Sequence, residues 1–587
     1  MICGSSRCRR GELIVVTWGE VLRWSPEPLA ELVGVLNNRY NQLIGCADEL
    51  RATAMPEGWS GPAANAAATK ANQLADSAEE LAAEGAMLRR AAGDVSDAIT
   101  GVLNGVHEAQ SLATAHEFRI GEDGAITGGP PPVCTADDPD GSVAAADNQR
   151  VVAELRDRIQ EVLRSAEDVD NDFCSVLDRI LPGHVIDPAS DRTDLAAAGN
   201  SGWALGSLSI PPPPNASPAD NAAWWATLSP NQRKVLTNDH PELIGPRDGL
   251  PSEARDAANK TQLDRTRADL ASQRDGIQHQ IDGLRHTAGG DIVLNDQAAH
   301  DRLKEQLDDI NGKLNGVDAI YDRLNHPHPG QPRAYLLALD PSGSGRAVIA
   351  SGNPDTAANV ATYVPGTGSE LSKISGDIDR SDRMVKAAQE AGSPSTAVIT
   401  WQGYDAPSTL VDAASESYAD NGKGKLDSFQ EGLRESHAGA ASHNTVIGHS
   451  YGTTLVGHAA RDGGLNADDL ALVASPGVGT DNVSQLRLEG VNQADIGQHV
   501  HSTVAAHDMI KVTNVELAPP LSGQHLDPLG PDPADPGFGG KVFTSDPGTE
   551  GPWYEGGLSG AAHSEYWNPN NKALDNMGRI IAGQPTY

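Results

Sequence analysis

At 587 residues the chain is long enough for about two to four domains, each with its own core. A formal net charge of −36 repels nucleic acid and anionic membrane surfaces, which sets both aside as partners. No apolar run approaches the ~18–20 residues that span a bilayer. The five cysteines (Cys3, Cys8, Cys46, Cys134, Cys174) are scattered and without C-x-x-C spacing, a pattern of neither a zinc site nor a disulfide framework.

Residues 1–16 place basic residues ahead of the apolar Leu13–Val16. That run is too short for a Sec signal peptide, and no small-residue cleavage site follows before Trp18. The segment is expected to be unstructured, or to reflect an over-extended translation start near Val15 or Val16. From Glu27 to Thr53, apolar residues such as Leu29, Leu32, Val33, Leu36, Tyr40 and Leu43 recur at helical spacing, and Met55–Gly61 interrupts them. A second helical run extends from Pro62 to Ala115. Its Leu74, Leu81, Leu88 and Val95 are seven residues apart, which predicts packing along a partner helix. Residues 17–120 therefore read as an antiparallel helical hairpin with Trp59-Ser60-Gly61 at the turn, Trp59 filling the hairpin end. A Gly/Pro/Asp-rich linker over 121–148, a helix over 149–181 and a Pro-rich linker over 182–220 follow. In 221–330, Trp224 and Trp225 predict an apolar anchor laid on a neighbouring domain. Two charged helices around Gly289-Gly290 then flank a catalytic domain at 331–587.

From Gln331 the grammar changes to short β runs alternating with helices: Ala334–Leu339, Ala347–Ala350, Ala361–Val364, Ala397–Trp401, Thr445–Ile447, Leu470–Ala474, Val500–Ala505 and Lys541–Thr544. The fold class is α/β, a doubly wound, mostly parallel sheet preceded by an all-α hairpin domain and flanking helices. After the fifth run comes Gly448-His449-Ser450-Tyr451-Gly452, then the helical Leu455, Val456, Ala459 and Ala460: the strand–turn–helix of a nucleophile elbow. With 62 glycines in the chain, G-x-S-x-G alone arises by chance about half the time, so the flanking elements carry the reading.

An activated serine needs a histidine, and the histidine an acid that fixes its tautomer. This fold orders them Ser, Asp/Glu, His. Asp508 ends the strand Val500–Ala505, and His563 lies beyond the last strand; the competing acids are Asp481 and Asp527, and the competing histidines His501, His507 and His525. The oxyanion donors are expected to be the N–H of Tyr451 and one from the loop Pro365–Gly368, Thr367 first and Gly366 second. That loop lacks the lysine of a phosphate-binding P-loop. His449 and Tyr404 are candidate pocket residues. Water completes the turnover, and neither a metal nor a cofactor is called for.

Two resemblances sharpen this reading. Tyr363–Gly368, Trp401–Asp405, Val446–Gly452, Ala474–Gly477, Asp508 and His563–Tyr566, with the lead-in Trp224-Trp225 and Asp248–Pro251…Arg255-Asp256, resemble an actinobacterial α/β-hydrolase family catalogued as a domain of unknown function, number ten twenty-three. The resemblance covers roughly Ala223 to the C-terminus and implies a serine hydrolase of unestablished natural substrate. The N-terminal hairpin with Trp59-Ser60-Gly61 resembles the WXG-type proteins of type VII secretion. Their export signal, Tyr-x-x-x-Asp/Glu, stands here at Phe118…Glu122 with Phe in place of Tyr. The expected function is hydrolysis of a small acyl ester or lipid-like ester. The alternatives are a non-catalytic interaction protein of type VII secretion, partnered through its helical hairpin, and a peptidase or amidase using the same triad. A cytoplasmic location is expected, with type VII export as the alternative.

Overall fold

The computed structural model describes residues 16–54, 58–131, 142–180, 211–288, 291–294, 296–512, 529–552 and 556–587. The chain divides into two units between Val235 and Leu236. Among the described residues, no helix is long and apolar enough to cross a membrane.

In the first unit, helices α1 (Glu27–Thr53) and α2 (Pro62–Ala115) run antiparallel; side-chain bonds join Arg51 to Asp76 and Arg89 to Asn37, and Ser96 bonds the Pro26 carbonyl. The seam near the hairpin tip is made of alanine. Ala47, Ala64, Ala75 and Ala82 are fully buried, whereas Leu74 and Leu81 are 50% and 54% exposed. The predicted leucine heptad is thus displaced by one position, because small side chains let the two backbones approach. Of the four heptad residues, Val95 is buried in the core that forms where α3 (Ser142–Ile180) joins, with Trp18, Ile99, Val102, Val162 and Phe173. Val16, assigned from sequence to the unstructured leader, is buried in this same core; residues 1–15 lie outside the described residues. Trp59 is 46% exposed and does not fill the hairpin end. A β-hairpin pairing Phe118–Ile120 with Ile126–Gly128 crosses the expected boundary between the helical hairpin and the linker.

The paired tryptophans lie on the helix Pro218–Ala226, which belongs to this first unit and not to the segment flanking the catalytic domain. Two glycines of α2 receive the chain that follows it. A Cβ on Gly101 would stand 2.0 Å from the Thr227 carbonyl oxygen, and one on Gly105 2.9 Å from Val162.

The second unit is built on eight strands: β1 (Ala334–Asp340), β2 (Arg346–Ser351), β3 (Asn359–Val364), β4 (Thr396–Trp401), β5 (His443–His449), β6 (Asp469–Val473), β7 (Val500–Thr503) and β8 (Lys541–Val542). Their order is β8-β7-β6-β5-β3-β4-β2-β1, parallel except for β2, which runs antiparallel to both β1 and β4. All six residues of β3 and of β4 are buried, as expected of parallel strands covered on both faces. One face packs against the helices Ser417–Ser436 and Tyr451–Asp462, the other against Ile374–Glu390 and Lys572–Ile581.

Helix α4 (Ser252–Gly283) seals the β1 edge. Asp256 Oδ1 accepts from Leu336 N at 2.9 Å, Asn259 Nδ2 donates to Leu336 O at 3.0 Å and Arg255 Nε to Leu337 O at 3.1 Å. These buried side chains satisfy outward-facing backbone groups beside a bulge between Leu336 and Ala338, and they leave no open edge there for another strand. Arg255 also pairs with Asp248 at 3.0 Å. The lead-in motif Asp248…Arg255-Asp256 is therefore a clamp on the sheet.

Candidate active site

Ser450 sits at the carboxyl end of β5, immediately before α5 (Tyr451–Asp462), with φ 54° and ψ −130°. A positive φ is costly for a residue with a side chain, and surrounding structure has to impose it. Here Ser450 N is tied to Val473 O at 3.0 Å. The flanking glycines are sterically required: a Cβ on Gly448 would lie 2.7 Å from Thr453 Cα, and one on Gly452 2.2 Å from Val364 O.

The loop after β3 lies directly against this turn. A Cβ on Gly366 would stand 2.6 Å from His449 O, 2.7 Å from Ser450 Cβ and 2.9 Å from Tyr451 N. Thr367, next in the loop, is half-buried. Gly368 N donates to Pro407 O at 2.8 Å, and the Tyr404 hydroxyl donates to Pro365 O at 2.9 Å. Tyr404 is buried and stacks on Trp401, so it braces this loop.

Asp508 follows β7 and is fully buried. Its carboxylate faces His563 Nδ1 at 2.9 and 3.1 Å, and it accepts from Ile510 N at 2.8 Å and from the Tyr566 hydroxyl at 2.6 Å. The Tyr566 oxygen in turn accepts from Ala505 N at 2.8 Å. Burial, reinforced by the Asp508 charge, pushes the Tyr566 phenol far above its ordinary range and keeps it a donor. His563 and Tyr566 share the 3-10 helix Ala562–Trp567, in which residues three apart lie on one side. Tyr566 is the site residue that reading the sequence for a triad missed; its i, i+3 offset from His563 was the available signal.

His449 is 5% exposed. Its Nε2 donates to the His563 carbonyl at 2.9 Å, and its ring centroid lies 4.9 Å from that of His563. Burial first, then the neighbouring His563 and Arg380, hold it well below its ordinary pKa, so it is a neutral donor. It serves as a strut beneath His563. Among the described residues no hydrogen bond joins the Ser450 hydroxyl to His563.

The competing candidates lie elsewhere. Asp481 N is bonded to Gln485, His501 is buried in β7 with Nε2 3.6 Å from Asp469, and His507 Nδ1 faces the Gly557 carbonyl at 3.0 Å. Asp527 and His525 lie outside the described residues. The donor atoms of Asp420, His458 and Asp462 come within 4.8 Å of one another. Lys423 Nζ already bridges both carboxylates, 2.9 Å from that of Asp420.

A family model described as alpha/beta hydrolase matches residues 340–519. The uncharacterized protein Rv0963c of Mycobacterium tuberculosis is 32% identical over 206 residues, which make up 33% of this chain and 76% of that protein. The chain belongs to the α/β-hydrolase family. A longer match is to the uncharacterized protein Rv2079 of Mycobacterium tuberculosis, 32% identical over 394 residues, 64% of this chain. The match spans 57% of that relative, little more than half its length. The esterase LipW from Mycobacterium marinum superposes over 49% of this chain and 90% of its own at 13% identity, with a TM-score of 0.28, too loose an overlap to bear on function.

Proposed function

We propose that the chain is a serine hydrolase that cleaves an acyl ester through an acyl-enzyme intermediate. Ser450 Oγ attacks the acyl carbon while His563 Nε2 takes its proton. Asp508 holds His563 by Nδ1 and balances the imidazolium that forms. The N–H groups of Tyr451 and Thr367, with Gly366 as the second candidate in that loop, receive the oxyanion. Tyr451 opens a helix, where the first N–H groups have no intrahelical acceptor and the helix dipole favours negative charge. His563 then returns the proton to the leaving alcohol, and water, activated by the same imidazole, releases the acid.

The observation that carries this reading is the conjunction at one sheet end. Ser450 is held at φ 54°, Gly366 packs against it, and His563 Nδ1 lies 2.9 Å from the buried Asp508 carboxylate. The test is labelling of the full chain by a fluorophosphonate probe, with turnover of p-nitrophenyl esters compared with matched anilides. Wild type is expected to label and to prefer esters, and Ser450→Ala to do neither. A folded wild type that never labels and cleaves neither substrate refutes the proposal. A preference for anilides replaces the ester assignment by an amidase.

A further inference from the structure

The loop after β4 holds two exposed apolar side chains, Leu410 at 66% and Val411 at 85% exposure. Singly exposed leucines are commonplace; the difference here is that the turn presenting them is built. Asp412 Oδ2 accepts from Ser408 Oγ at 3.0 Å and from Thr409 Oγ1 at 2.7 Å, and Asp412 N donates back to Thr409 Oγ1 at 3.2 Å. Both ends of the turn are tied to the segments that supply the oxyanion donors. Before it, Pro407 O accepts from Gly368 N at 2.8 Å. After it, Ser415 O accepts from the Tyr451 hydroxyl, which itself accepts from Ala419 N at 3.3 Å. A fixed turn strung between these two anchors displays Leu410 and Val411 on the rim of the candidate site. Across the sheet order from β4, beyond the nucleophile strand, Met509 beside Asp508 is 40% exposed. Apolar side chains therefore stand exposed on both flanks of Ser450, at the carboxyl ends of the strands.

We propose that this rim docks the site onto an uncharged lipid–water surface, through which a long-chain acyl ester reaches Ser450. The proposal rests on the hydrolase reading above and names the form in which its substrate is presented. Charge selects the surface. With a net charge of −36, and with Asp412 and Glu416 in the same loop, the protein is repelled by anionic headgroups, which leaves neutral or zwitterionic ones. The contiguous Leu410-Val411 pair supplies apolar area that gains by leaving water.

The experiment has two arms. In the first, the full chain is co-sedimented with dioleoylphosphatidylcholine vesicles and, separately, with dioleoylphosphatidylglycerol vesicles. In the second, rates are compared for p-nitrophenyl butyrate in solution and p-nitrophenyl palmitate in neutral detergent micelles. Wild type is expected to sediment with the zwitterionic vesicles only. The double variant Leu410→Ser/Val411→Ser, checked for an unaltered melting profile, is expected to lose at least about fivefold in bound fraction and about tenfold in the palmitate-to-butyrate rate ratio. Wild type that binds no phosphatidylcholine vesicle, or a variant that keeps both quantities, overturns the docking surface. A wild-type dimer that the variant dissolves, seen by sedimentation velocity, assigns the patch to a second copy of the chain and also overturns it. Vesicle binding without turnover of either ester sinks the hydrolase reading and leaves the surface standing, so the two failures are distinguishable.

Discussion

Tyr566→Phe removes a single oxygen, and that oxygen connects the acid of the site to the sheet. In the native chain it donates to Asp508 Oδ2 at 2.6 Å and accepts from Ala505 N at 2.8 Å. The substitution leaves Asp508 with its bond from Ile510 N at 2.8 Å and its contact with His563, so the carboxylate is loosened but not freed. A hydrogen bond to a charged group contributes about 1.5–3 kcal/mol. Because one backbone donor still orients Asp508, the lower half of that range applies, about 1.5–2 kcal/mol. If it is felt where the imidazolium forms, kcat falls about 10- to 30-fold, at 1.36 kcal/mol per factor of ten. KM for a soluble ester is expected to stay within about twofold, because Tyr566 is buried and touches no substrate. The orphaned, buried Ala505 N–H costs a further ~1–3 kcal/mol of stability. Steady-state kinetics on p-nitrophenyl butyrate, well below the melting temperature, read the first effect; a urea titration reads the second. A folded Tyr566→Phe protein with wild-type kcat refutes the claim that the Tyr566–Asp508 bond positions His563. A rise in KM matching the fall in kcat/KM would place the residue in substrate binding instead.

Two further perturbations probe independent parts of the structure. Gly366→Ala puts a methyl group 2.7 Å from Ser450 Cβ and 2.9 Å from Tyr451 N, so the loop has to retreat from the oxyanion position. The expected cost is about 10²–10³ in kcat in a folded protein, and a kcat within threefold of wild type would remove Gly366 and Thr367 from that role. At the opposite, amino end of the sheet, Asp469 is shared by His443 Nε2 at 2.9 Å, His499 Nδ1 at 3.2 Å and His501 Nε2 at 3.6 Å. Burial opposes ionisation of Asp469, but hydrogen bonds from these histidines hold it far below its ordinary value. Burial likewise disfavours the charged form of His443, yet the Asp469 bond and charge outweigh it and raise its pKa; His499 is raised chiefly by its Asp469 bond. The raised histidines contribute full stability below about pH 6.5, and that contribution is lost as pH rises through their folded values. The depressed Asp469 contributes above about pH 4 and is lost only as pH falls below that. The stability difference between wild type and Asp469→Asn, read from urea unfolding, is therefore expected to shrink from about pH 6 to pH 9, and a constant difference over that range refutes the linkage.

What could be read from sequence and what could not separates along a physical line. The elbow is legible because its constraints are local. Gly448 and Gly452 exclude side chains that neighbours within the same strand, turn and helix, or the adjacent strand, would strike. The pairing of Asp508 with His563 is legible because a parallel sheet brings the carboxyl ends of its strands together, and the two are in hydrogen-bond contact. Packing partners are less legible, since apolar spacing says that a side chain is buried but not on what. The turn that follows Trp224 and Trp225 packs on Gly101 and Gly105 of α2, about 120 residues earlier in the chain, a complementarity that no local pattern displays. The heptad of Leu74 and Leu81 failed for a related reason. In an alanine-rich hairpin the closest approach is set by the smallest side chains, so the seam follows Ala75 and Ala82 and turns the leucines outward. Between these extremes lie His449 and Tyr404, assigned from sequence to a pocket by their nearness to the elbow. Both are buried, and both have a polar atom bonded to a backbone carbonyl of the site, His563 O and Pro365 O. A buried polar aromatic side chain beside the elbow has to satisfy its hydrogen bond internally. The better inference from such a position is therefore a strut that fixes the backbone of the reacting groups, and Tyr566, three residues beyond His563, obeys the same rule.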